Sequence, residues 1–225
     1  MTELTFKQFH TMAEAAWQRA SGAPGARRVL SGELNRSQLA LLTLQMYHYV
    51  KYTVPVFEYA LTLVRPGREH DPLAQMLRFF AHDEAGHDRV ALRDLQRMGY
   101  AKRCAETLPL PATLNLHGAN RLAVEEYGPY YLVGETYATE TVGARISRGV
   151  EHAYRDVAEV SFYAVHAEAD PGHAAVSERV VRHALSMPGN SRAITLGYLT
   201  ALHNLQALAE AVLHAEHYPA AFQLP

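Results

Sequence analysis

The chain has 225 residues, of which 48% are hydrophobic and 20% are charged, and it carries 13 histidines and a formal net charge of −2. This length allows one large domain that buries roughly 70% of the surface exposed by its unfolded chain. The 21 basic and 23 acidic residues are interleaved, so no basic stripe is available for a nucleic-acid backbone. No segment has the ~18 uncharged apolar residues of a membrane span, and residues 1–9 lack the apolar stretch of a signal peptide.

The chain has a single cysteine, Cys104, which limits the disulfides and cysteine-based metal sites that it can form. One thiol excludes an intramolecular disulfide, a four-cysteine zinc or iron–sulfur site and a CxxC redox pair within this chain. We therefore expect a protein of the reducing cytoplasm with no nucleic-acid or membrane partner. Its excess of histidine still needs an explanation.

Helix is predicted almost throughout, because Ala and Leu dominate, Ile occurs only twice, and no Asn-Gly or Asp-Gly hairpin turn is present. The sequence predicts a single all-α bundle over residues 1–225. The predicted helices cover about residues 5–19, 35–64 with a kink at Pro55, 71–98, 116–148 with a break near Gly128-Pro129, 153–186 and 191–217. Residues 21–31 are predicted to be a loop, residues 99–115 a long connection, and Gly149 a helix stop.

Glu84 and His87 form an ExxH motif on the third predicted helix. Residues three apart lie on one helical face, so the carboxylate and the imidazole can reach the same point in a bundle interior. On its own the motif is weak, because ExxH also occurs by chance on solvated helices.

A rarer HxxxDxxH motif consists of His166, Asp170 and His173. Spacings of four and three place two imidazoles and a carboxylate along one helical stripe, a ligand set that suits iron. The alternative is a solvated polar face near a helix end. Pro171 interrupts the motif and predicts a kink or break, so we expect Asp170 and His173 to form the weaker metal site.

Glu140 lies between these motifs on an apolar segment, in a GxxYxxE pattern that begins at Gly134 and includes Tyr137. A buried carboxylate without a partner costs several kcal/mol, so Glu140 requires either a metal or a cation such as Arg145 or Arg179. We expect Gly134, Tyr137 and Glu140 to share roughly one helical face, and Glu135 to point elsewhere.

Together the candidate ligands provide three carboxylates and three imidazoles from three helices, enough for two iron ions with positions left open for dioxygen. They are Glu84, His87, Glu140, His166, Asp170 and His173. A ferritin-like di-iron bundle would need ExxH on two helices, and the long predicted helices carry only one credible copy. The sequence therefore favours a different bundle.

Four features resemble the heme-oxygenase-like diiron oxidases. They are residues 31–39 followed by Met46-Tyr-His-Tyr-Val, the Glu84/His87 pair ahead of Asp94-Leu-Gln-Arg-Met-Gly, the GxxYxxE motif and the HxxxDxxH motif. This family shares a seven-helix fold with heme oxygenase, TenA-type thiaminase and pyrroloquinoline-quinone synthase. The resemblance, which extends over about residues 31–173, implies a homodimeric non-heme diiron enzyme that activates dioxygen to oxidise a small molecule.

The resemblance also implies roles for individual residues. One Fe(II) would be held by Glu84, His87 and His166. The other would be held by Asp170 and His173, with Glu140 bridging the two ions.

The substrate is expected to lie against Tyr137 and Phe162, with Arg145 available to a substrate carboxylate and Tyr137 and Glu140 taking part in catalysis. The family acts on amino acids, fatty acids and natural-product intermediates, by N-oxygenation, carbon–carbon cleavage or desaturation. Tyrosine hydroxyls among aromatic rings favour an amino acid or an amino-acid-derived intermediate, whereas a fatty acid would need a more uniformly aliphatic channel. An external electron donor is a further expected partner.

Several alternatives stay open at this point. A TenA-type enzyme needs a nucleophilic cysteine in the bundle core, and Cys104 lies in the predicted connection instead. A heme-binding relative would need an axial histidine on the first helix, where His10 is available. A metal-independent relative or a non-catalytic binding bundle would leave the clustered carboxylates unexplained. His48 and His82 are expected to be hydrogen-bonded interior residues near the site.

Overall fold

The computed structural model describes residues 3–65, 67, 70–100, 102–156 and 159–218, and every regular element in these ranges is helical. The α-helices are α1 (Phe6–Ser21), α2 (Pro24–Ser31), α3 (Arg36–Val50), α4 (Thr53–Thr62), α5 (Pro72–Asp83), α6 (His87–Arg97), α7 (Pro111–Tyr127), α8 (Tyr130–Tyr154), α9 (Ser161–Leu185) and α10 (Ser191–Leu213). Two short 3-10 helices cover Lys102–Glu106 and Ala215–His217. The predicted all-α class is confirmed, with more and shorter helices than expected.

Three helices begin where their capping residues predict. Thr5 and Asn35 each form a capping box with the glutamine three residues later, and Asp71 accepts a hydrogen bond from the Leu73 amide. These side chains satisfy backbone amides that have no partner in the first helical turn. Consequently α1, α3 and α5 start within one residue of the predicted positions.

Two of the long predicted helices are interrupted. The helix predicted over residues 35–64 ends at Val50 and restarts at Thr53. Pro55 therefore lies in the first turn of α4, where backbone amides have no intrahelical acceptor and the lack of an N–H costs nothing. In place of the expected kink, a new helix starts here. The helix predicted over residues 71–98 is interrupted after Asp83 because Gly86 adopts a left-handed conformation with φ 98°.

The predicted loop over residues 21–31 is wrong, because most of it forms α2. Pro24 occupies the first turn of this helix, where proline is favoured. Gly25 serves close packing rather than a turn: a Cβ there would lie 2.6 Å from the backbone nitrogen of Glu210 on α10. The glycine and proline that suggest a loop thus belong to a helix that packs tightly on its neighbour.

The predicted helix stop at Gly149 is also wrong, since α8 continues to Tyr154. A Cβ at Gly149 would lie 3.3 Å from the carbonyl oxygen of Leu30, so this glycine lets α2 approach α8. The end of α8 is anchored by the Tyr154 hydroxyl, which accepts from the Leu34 amide at 2.6 Å and donates to the Leu34 carbonyl at 3.1 Å. Tertiary contacts therefore extend the helix beyond its local stop signal.

The break expected at Pro171 does not occur, because α9 is one continuous helix from Ser161 to Leu185. Pro171 lies on the exposed side of α9, whereas Asp170 and His173 are buried. Because proline has no backbone N–H, the carbonyl four residues earlier lacks its helical donor, and on the exposed side water can donate to it instead. The HxxxDxxH motif consequently stays on one helix, as its spacing requires.

Helix α8 is the centre of the fold and packs most extensively against α9 and α10. Its contact with α10 depends on two glycines. A Cβ at Gly134 would overlap the carbonyl oxygen of Ile194, and a Cβ at Gly197 would overlap that of Tyr131. Backbones can approach this closely only where side chains are absent.

The hydrophobic core consists of two clusters that meet at α8. One contains residues of α1, α4 and α5, and the other contains residues of α2, α3 and α6, while α8, α9 and α10 contribute to both. Ile146 on α8 packs against both clusters. No helix within the described ranges is long and apolar enough to cross a membrane.

The glycine contact between α8 and α10 generates a stability prediction. Gly134→Ala should lower the free energy of unfolding by about 3 kcal/mol or more, because the added methyl meets backbone that cannot rotate away. Gly118→Ala is the matched control: this glycine is exposed on α7, a Cβ there meets nothing within 4 Å, and alanine should stabilise by about 0.5–1 kcal/mol. Urea denaturation measures both, and equal stabilities of the two variants would contradict the packing argument.

Candidate metal centre

The six predicted ligands come from three places in the fold. Glu84 and His87 flank the turn between α5 and α6, Glu140 lies in the middle of α8, and the HxxxDxxH residues lie on α9. Glu84, Glu140, Asp170 and His173 are buried, and the other two histidines are partly exposed. The fold thus brings all three elements to one region, beside a cavity of about 90 Å³.

Glu84 and His87 meet across a turn rather than along a helix. Glu84 caps the end of α5, and His87 is the first residue of α6, with Gly86 between them. The prediction of a continuous helix through ExxH is therefore wrong. The two side chains still meet, because the left-handed Gly86 reverses the backbone and brings His87 Nδ1 to 2.9 Å from Glu84 Oε2.

Glu84, His87 and His166 form the first ligand group, in which one ligand atom of each lies within 4.8 Å of the others. The Nδ1 of His166 lies 2.8 Å from the carbonyl oxygen of Phe162, which fixes the proton on Nδ1. Its Nε2 then carries the lone pair and lies 3.9 Å from Glu84 Oε2. The imidazole is thus oriented with Nε2 towards the ligand group, as a metal ligand requires.

Glu84 also belongs to a second group, with Glu140 and His173. His173 Nδ1 lies 3.1 Å from Glu140 Oε2 and 3.7 Å from Glu84 Oε1. Glu84 therefore directs one carboxylate oxygen to each group. The resemblance implies that Glu140 bridges the two ions. In the structure Glu84 is the residue that belongs to both ligand groups, because the end of α5 projects it between them.

Asp170 lies outside both groups but lines the same cavity. Its Oδ1 is buried without a hydrogen-bond partner, and its Oδ2 would lie 2.8 Å from a Cβ at Gly143. A buried carboxylate oxygen without a partner is costly and marks a position where a cation would be stabilised. Asp170 is thus near His173, its predicted co-ligand, with one oxygen still available.

The electrostatics of the carboxyls differ sharply. Although burial raises it, the neighbouring imidazoles of His166 and His87 lower the pKa of Glu84 to about 2. Burial, followed by the charge of Glu84, raises the pKa of Glu140 well above its ordinary value. Burial and the charge of Glu140 raise the pKa of Asp170 to about 8. Without a metal, Glu140 and Asp170 therefore hold protons that a divalent cation would displace.

Two acidic residues near the centre escape the sequence-based reasoning. Asp83 Oδ2 lies 2.8 Å from His173 Nε2, so this carboxylate orients the imidazole from behind. Its position next to Glu84 at a helix end gives no spacing signal. Glu135 lines the cavity, although the helical spacing predicted that it points away from Glu140. The sequence does hint at this position, because Glu135 is a carboxylate within an otherwise apolar run.

Two predicted substrate contacts lie elsewhere. The Tyr137 hydroxyl is 3.2 Å from His10 Nδ1 on α1, and the ring packs on Phe9, outside the lining of the cavity. Arg145 forms a half-exposed ion pair with Glu14 at 2.9 Å. Tyr137 lies three residues before Glu140 and Arg145 lies five residues after it. Around the axis of α8 their side chains are therefore rotated from Glu140 by about 60° and 140°, and both face α1. Both residues were predicted to contact the substrate, but neither lines the cavity.

Phe162 is the predicted substrate contact that the structure does place in the cavity wall. Its ring centroid lies 4.2 Å from that of His166. The amide of Phe162 donates to Asp94 Oδ2 at 2.7 Å, which ties the start of α9 to α6. This contact fixes the helix that presents His166.

The remaining singled-out residues have ordinary surroundings. Cys104 is buried, away from both ligand groups. His10 is exposed, His82 is exposed on α5, and His48 is buried with its Nδ1 3.1 Å from Lys51 Nζ. The prediction of an interior position is therefore right for His48 and wrong for His82.

The donor set fits iron. Carboxylate oxygens and imidazole nitrogens without a thiolate suit Fe(II), whereas structural zinc favours thiolates. The unpartnered Asp170 oxygen and the raised pKa of Glu140 indicate that positive charge at this end of the cluster would be stabilising. A divalent cation in each group would supply it.

Comparison with known proteins identifies related sequences and folds. The family model described as iron-containing redox enzyme matches residues 41–205. No curated protein matches the chain significantly by sequence. A domain of unknown function with a heme oxygenase-like fold from Shewanella denitrificans has a TM-score of 0.80 at 18% identity, covering 96% of this chain and 95% of that one.

Two further solved structures share the fold. A TenA homolog from Pseudomonas syringae has a TM-score of 0.76 at 12% identity, covering 92% of each chain. A CADD-like protein of unknown function from Nostoc punctiforme has a TM-score of 0.67 at 18% identity, covering 93% of this chain and 97% of that one. At these identities the likeness establishes the heme-oxygenase-like fold alone, which agrees with the fold predicted from sequence.

The contact behind His173 generates a metal-binding prediction. Asp83→Ala should weaken binding of one of two Fe(II) equivalents by about 10- to 100-fold, because the imidazole loses the carboxylate that orients it. Glu58→Ala, at an exposed position on α4, is the control and should bind iron as the wild type does. Anaerobic Fe(II) titration measures both, and an unchanged second affinity in Asp83→Ala would contradict this role.

The raised pKa of Asp170 predicts how the stability of the metal-free protein depends on pH. The folded protein keeps the Asp170 proton up to about pH 8, whereas the unfolded chain releases it near pH 4. The free energy of unfolding should therefore fall by a few kcal/mol as the pH rises from about 4 to about 8. Asp170→Asn should remove this part of the fall. Urea denaturation at pH 5 and pH 8 tests it, and equal pH dependence in both proteins would refute it.

Proposed function

The chain belongs to the family of iron-containing redox enzymes, and we propose that it is a non-heme diiron oxidase or oxygenase that uses dioxygen to oxidise a small molecule. One observation carries this proposal: Glu84 directs its two carboxylate oxygens to two different groups of ligand atoms. A carboxylate shared in this way suits a pair of metal ions rather than one. The groups also border a cavity in which a substrate can bind.

We assign one Fe(II) to Glu84, His87 and His166, and the other to Glu84, Glu140 and His173 with Asp170 beside it. When bound, the two Fe(II) ions supply electrons for the reduction of dioxygen, the co-substrate. The protein supplies the ligands in their correct protonation states. Glu140 and Asp170 release their protons on metal binding, and the Phe162 carbonyl keeps the His166 proton on Nδ1.

The chain also prepares the reaction space around the ligands. Asp83 holds His173 in place, and Asp94 holds the start of α9. Phe162 and Phe57 in the cavity wall exclude water from one side of the ligand groups. Thr53, whose buried hydroxyl has no hydrogen-bond partner, lines the cavity and is available to hydrogen-bond a substrate there. Positioning and exclusion of water are thus the work of this chain's own side chains.

The cavity bears on the substrate class. An amino acid or amino-acid-derived intermediate remains our first candidate, although Tyr137 and Arg145 do not line the cavity. A second, apolar cavity of about 50 Å³ adjoins the first and shares Met46 and Leu205 with it. This aliphatic space favours a substrate with a hydrocarbon part and keeps a fatty acid as the second candidate. The homodimer and the external electron donor stay predictions.

Anaerobic Fe(II) titration tests the diiron proposal directly. The wild type should bind two equivalents of Fe(II), and His87→Ala should bind one fewer or bind it at least tenfold more weakly. His203→Ala is the matched control, since His203 is exposed on α10. A wild type that binds no iron at pH 7.5 would contradict the proposal, as would a stoichiometry of one that His87→Ala leaves unchanged.

Mixing the iron-loaded protein with oxygen then separates the substrate candidates. Dioxygen consumption should rise in the presence of a substrate from a panel of amino acids and fatty acids of graded chain length. Stimulation by amino acids with long side chains would support the first candidate, and stimulation that grows with fatty-acid length would support the second. A metal-independent or heme-binding relative would instead show no iron-dependent oxygen consumption, or a Soret band after addition of heme.

A further inference from the structure

One buried carboxyl in the cavity is not used by either ligand group. Glu135 lies on α8, five residues before Glu140, and is 2% exposed. The Tyr49 hydroxyl donates to its Oε1 at 2.7 Å, and the Asn120 side-chain amide donates to the same oxygen at 2.9 Å. Its Oε2 has only the Thr136 hydroxyl, at 3.5 Å. One carboxyl oxygen is therefore fully engaged, while the other has one long contact among the described residues.

No cationic side chain of the cavity compensates Glu135. Among the described residues that line the cavity there is no lysine or arginine. Lys51, at the end of α3, is engaged elsewhere, with its Nζ over the Tyr52 ring and 3.1 Å from His48. Burial raises the pKa of Glu135, which reflects the cost of a buried carboxylate without a counter-ion. A cationic ligand at this position would remove that cost.

The space that Glu135 lines extends along α8. At the Glu135 end it adjoins a small pocket of about 10 Å³, with which it also shares Tyr49. At the other end, near Ile146, it adjoins the apolar cavity and shares Met46 and Leu205 with it. Glu135 and Ile146 are eleven residues apart, which corresponds to about 16 Å along a helix.

The two ends of this space differ in chemistry. The Glu135 end presents a carboxyl and a phenol hydroxyl, with the Asn120 amide in the small adjoining pocket. The Ile146 end is lined almost entirely by hydrocarbon side chains. Glu140 lies between them, about 7.5 Å from Glu135 along the helix axis. A linear ligand would therefore have one end at a carboxyl, the other in an apolar pocket, and its middle beside the ligand groups.

We propose that Glu135 is an amine-binding subsite, which holds the ammonium group of a substrate whose aliphatic part extends past Glu140 towards Ile146. An ammonium group donates up to three hydrogen bonds and can reach the free side of the Glu135 carboxylate. A substrate carboxylate there would face another carboxyl with no arginine or lysine to pair with, which is unfavourable. The substrate class is thus an aliphatic amine, including the terminal amine of a long amino-acid side chain, rather than a fatty acid.

Matched ligands of equal chain length test this subsite. Isothermal titration calorimetry at pH 7.5 would compare the binding of n-octylamine, octanoate and 1-octanol to the 225-residue chain. Octylamine should bind at least tenfold more tightly than the other two. Glu135→Gln should weaken octylamine binding by about 10- to 100-fold and leave 1-octanol unchanged, whereas Tyr49→Phe, which keeps the carboxylate, should weaken octylamine only a few-fold.

Two results would overturn the subsite. One is octanoate binding as tightly as octylamine to the wild type, a comparison that needs no variant. The other is wild-type octylamine affinity in Glu135→Gln, provided that its thermal unfolding shows a folded protein. The proposal relies on the proposed function for the oxidation of the bound amine, and iron stoichiometry is measured separately. If the protein prefers amines in a Glu135-dependent way but binds no iron, the diiron function alone is contradicted. If it binds two equivalents of iron but shows no preference for amines, the subsite alone is contradicted.

Discussion

The rest of this structure depends on one constraint: several carboxyl groups are buried in one cavity, and the described residues that line it include no lysine or arginine. Glu84, Glu140, Asp170 and Glu135 line the same space, where charges interact strongly because water is largely excluded. Only Glu84, which has two imidazoles beside it, has a pKa below the ordinary range. Burial raises the pKa of the other three, so the metal-free site disfavours their charged forms. Proton release and cation binding are therefore coupled at this site.

The sequence identifies the right residues at the α5–α6 turn by a wrong geometric argument. ExxH suggests a shared helical face, but Glu84 ends one helix and His87 begins the next. Glycine is tolerated inside helices as well as in left-handed turns, so Gly86 alone does not reveal the interruption. The consequence is functional, because a carboxylate at a helix end can project between two ligand groups, whereas one on a helical face would serve a single group. This is why Glu84, rather than Glu140, is a member of both ligand groups.

Along α8, periodicity predicts direction but not the shape of the space around the helix. Glu140 faces the cavity as expected, while Tyr137 and Arg145, rotated by about 60° and 140°, face α1. Glu135 is also rotated by about 140°, and yet it lines the cavity because α3 and α4 leave space on that side. The class of fold and most helix starts follow from composition and capping. The break positions and cavity walls do not, since they depend on contacts between segments that lie far apart in sequence.

The glycines of α8 connect its packing to its chemistry. Gly134 admits the backbone of α10, Gly143 admits the Asp170 carboxyl from α9, and Gly149 admits the backbone of α2. Each glycine weakens the helix locally by roughly 0.5–1 kcal/mol relative to alanine, so α8 must be stabilised by its neighbours rather than by its own propensity. The same close contacts fix the carboxyls of α8 and α9 at a short separation on rigid elements, where side chains are held more accurately than on loops. Tight packing at glycine positions therefore allows α8 and α9 to present their buried carboxyls to one site.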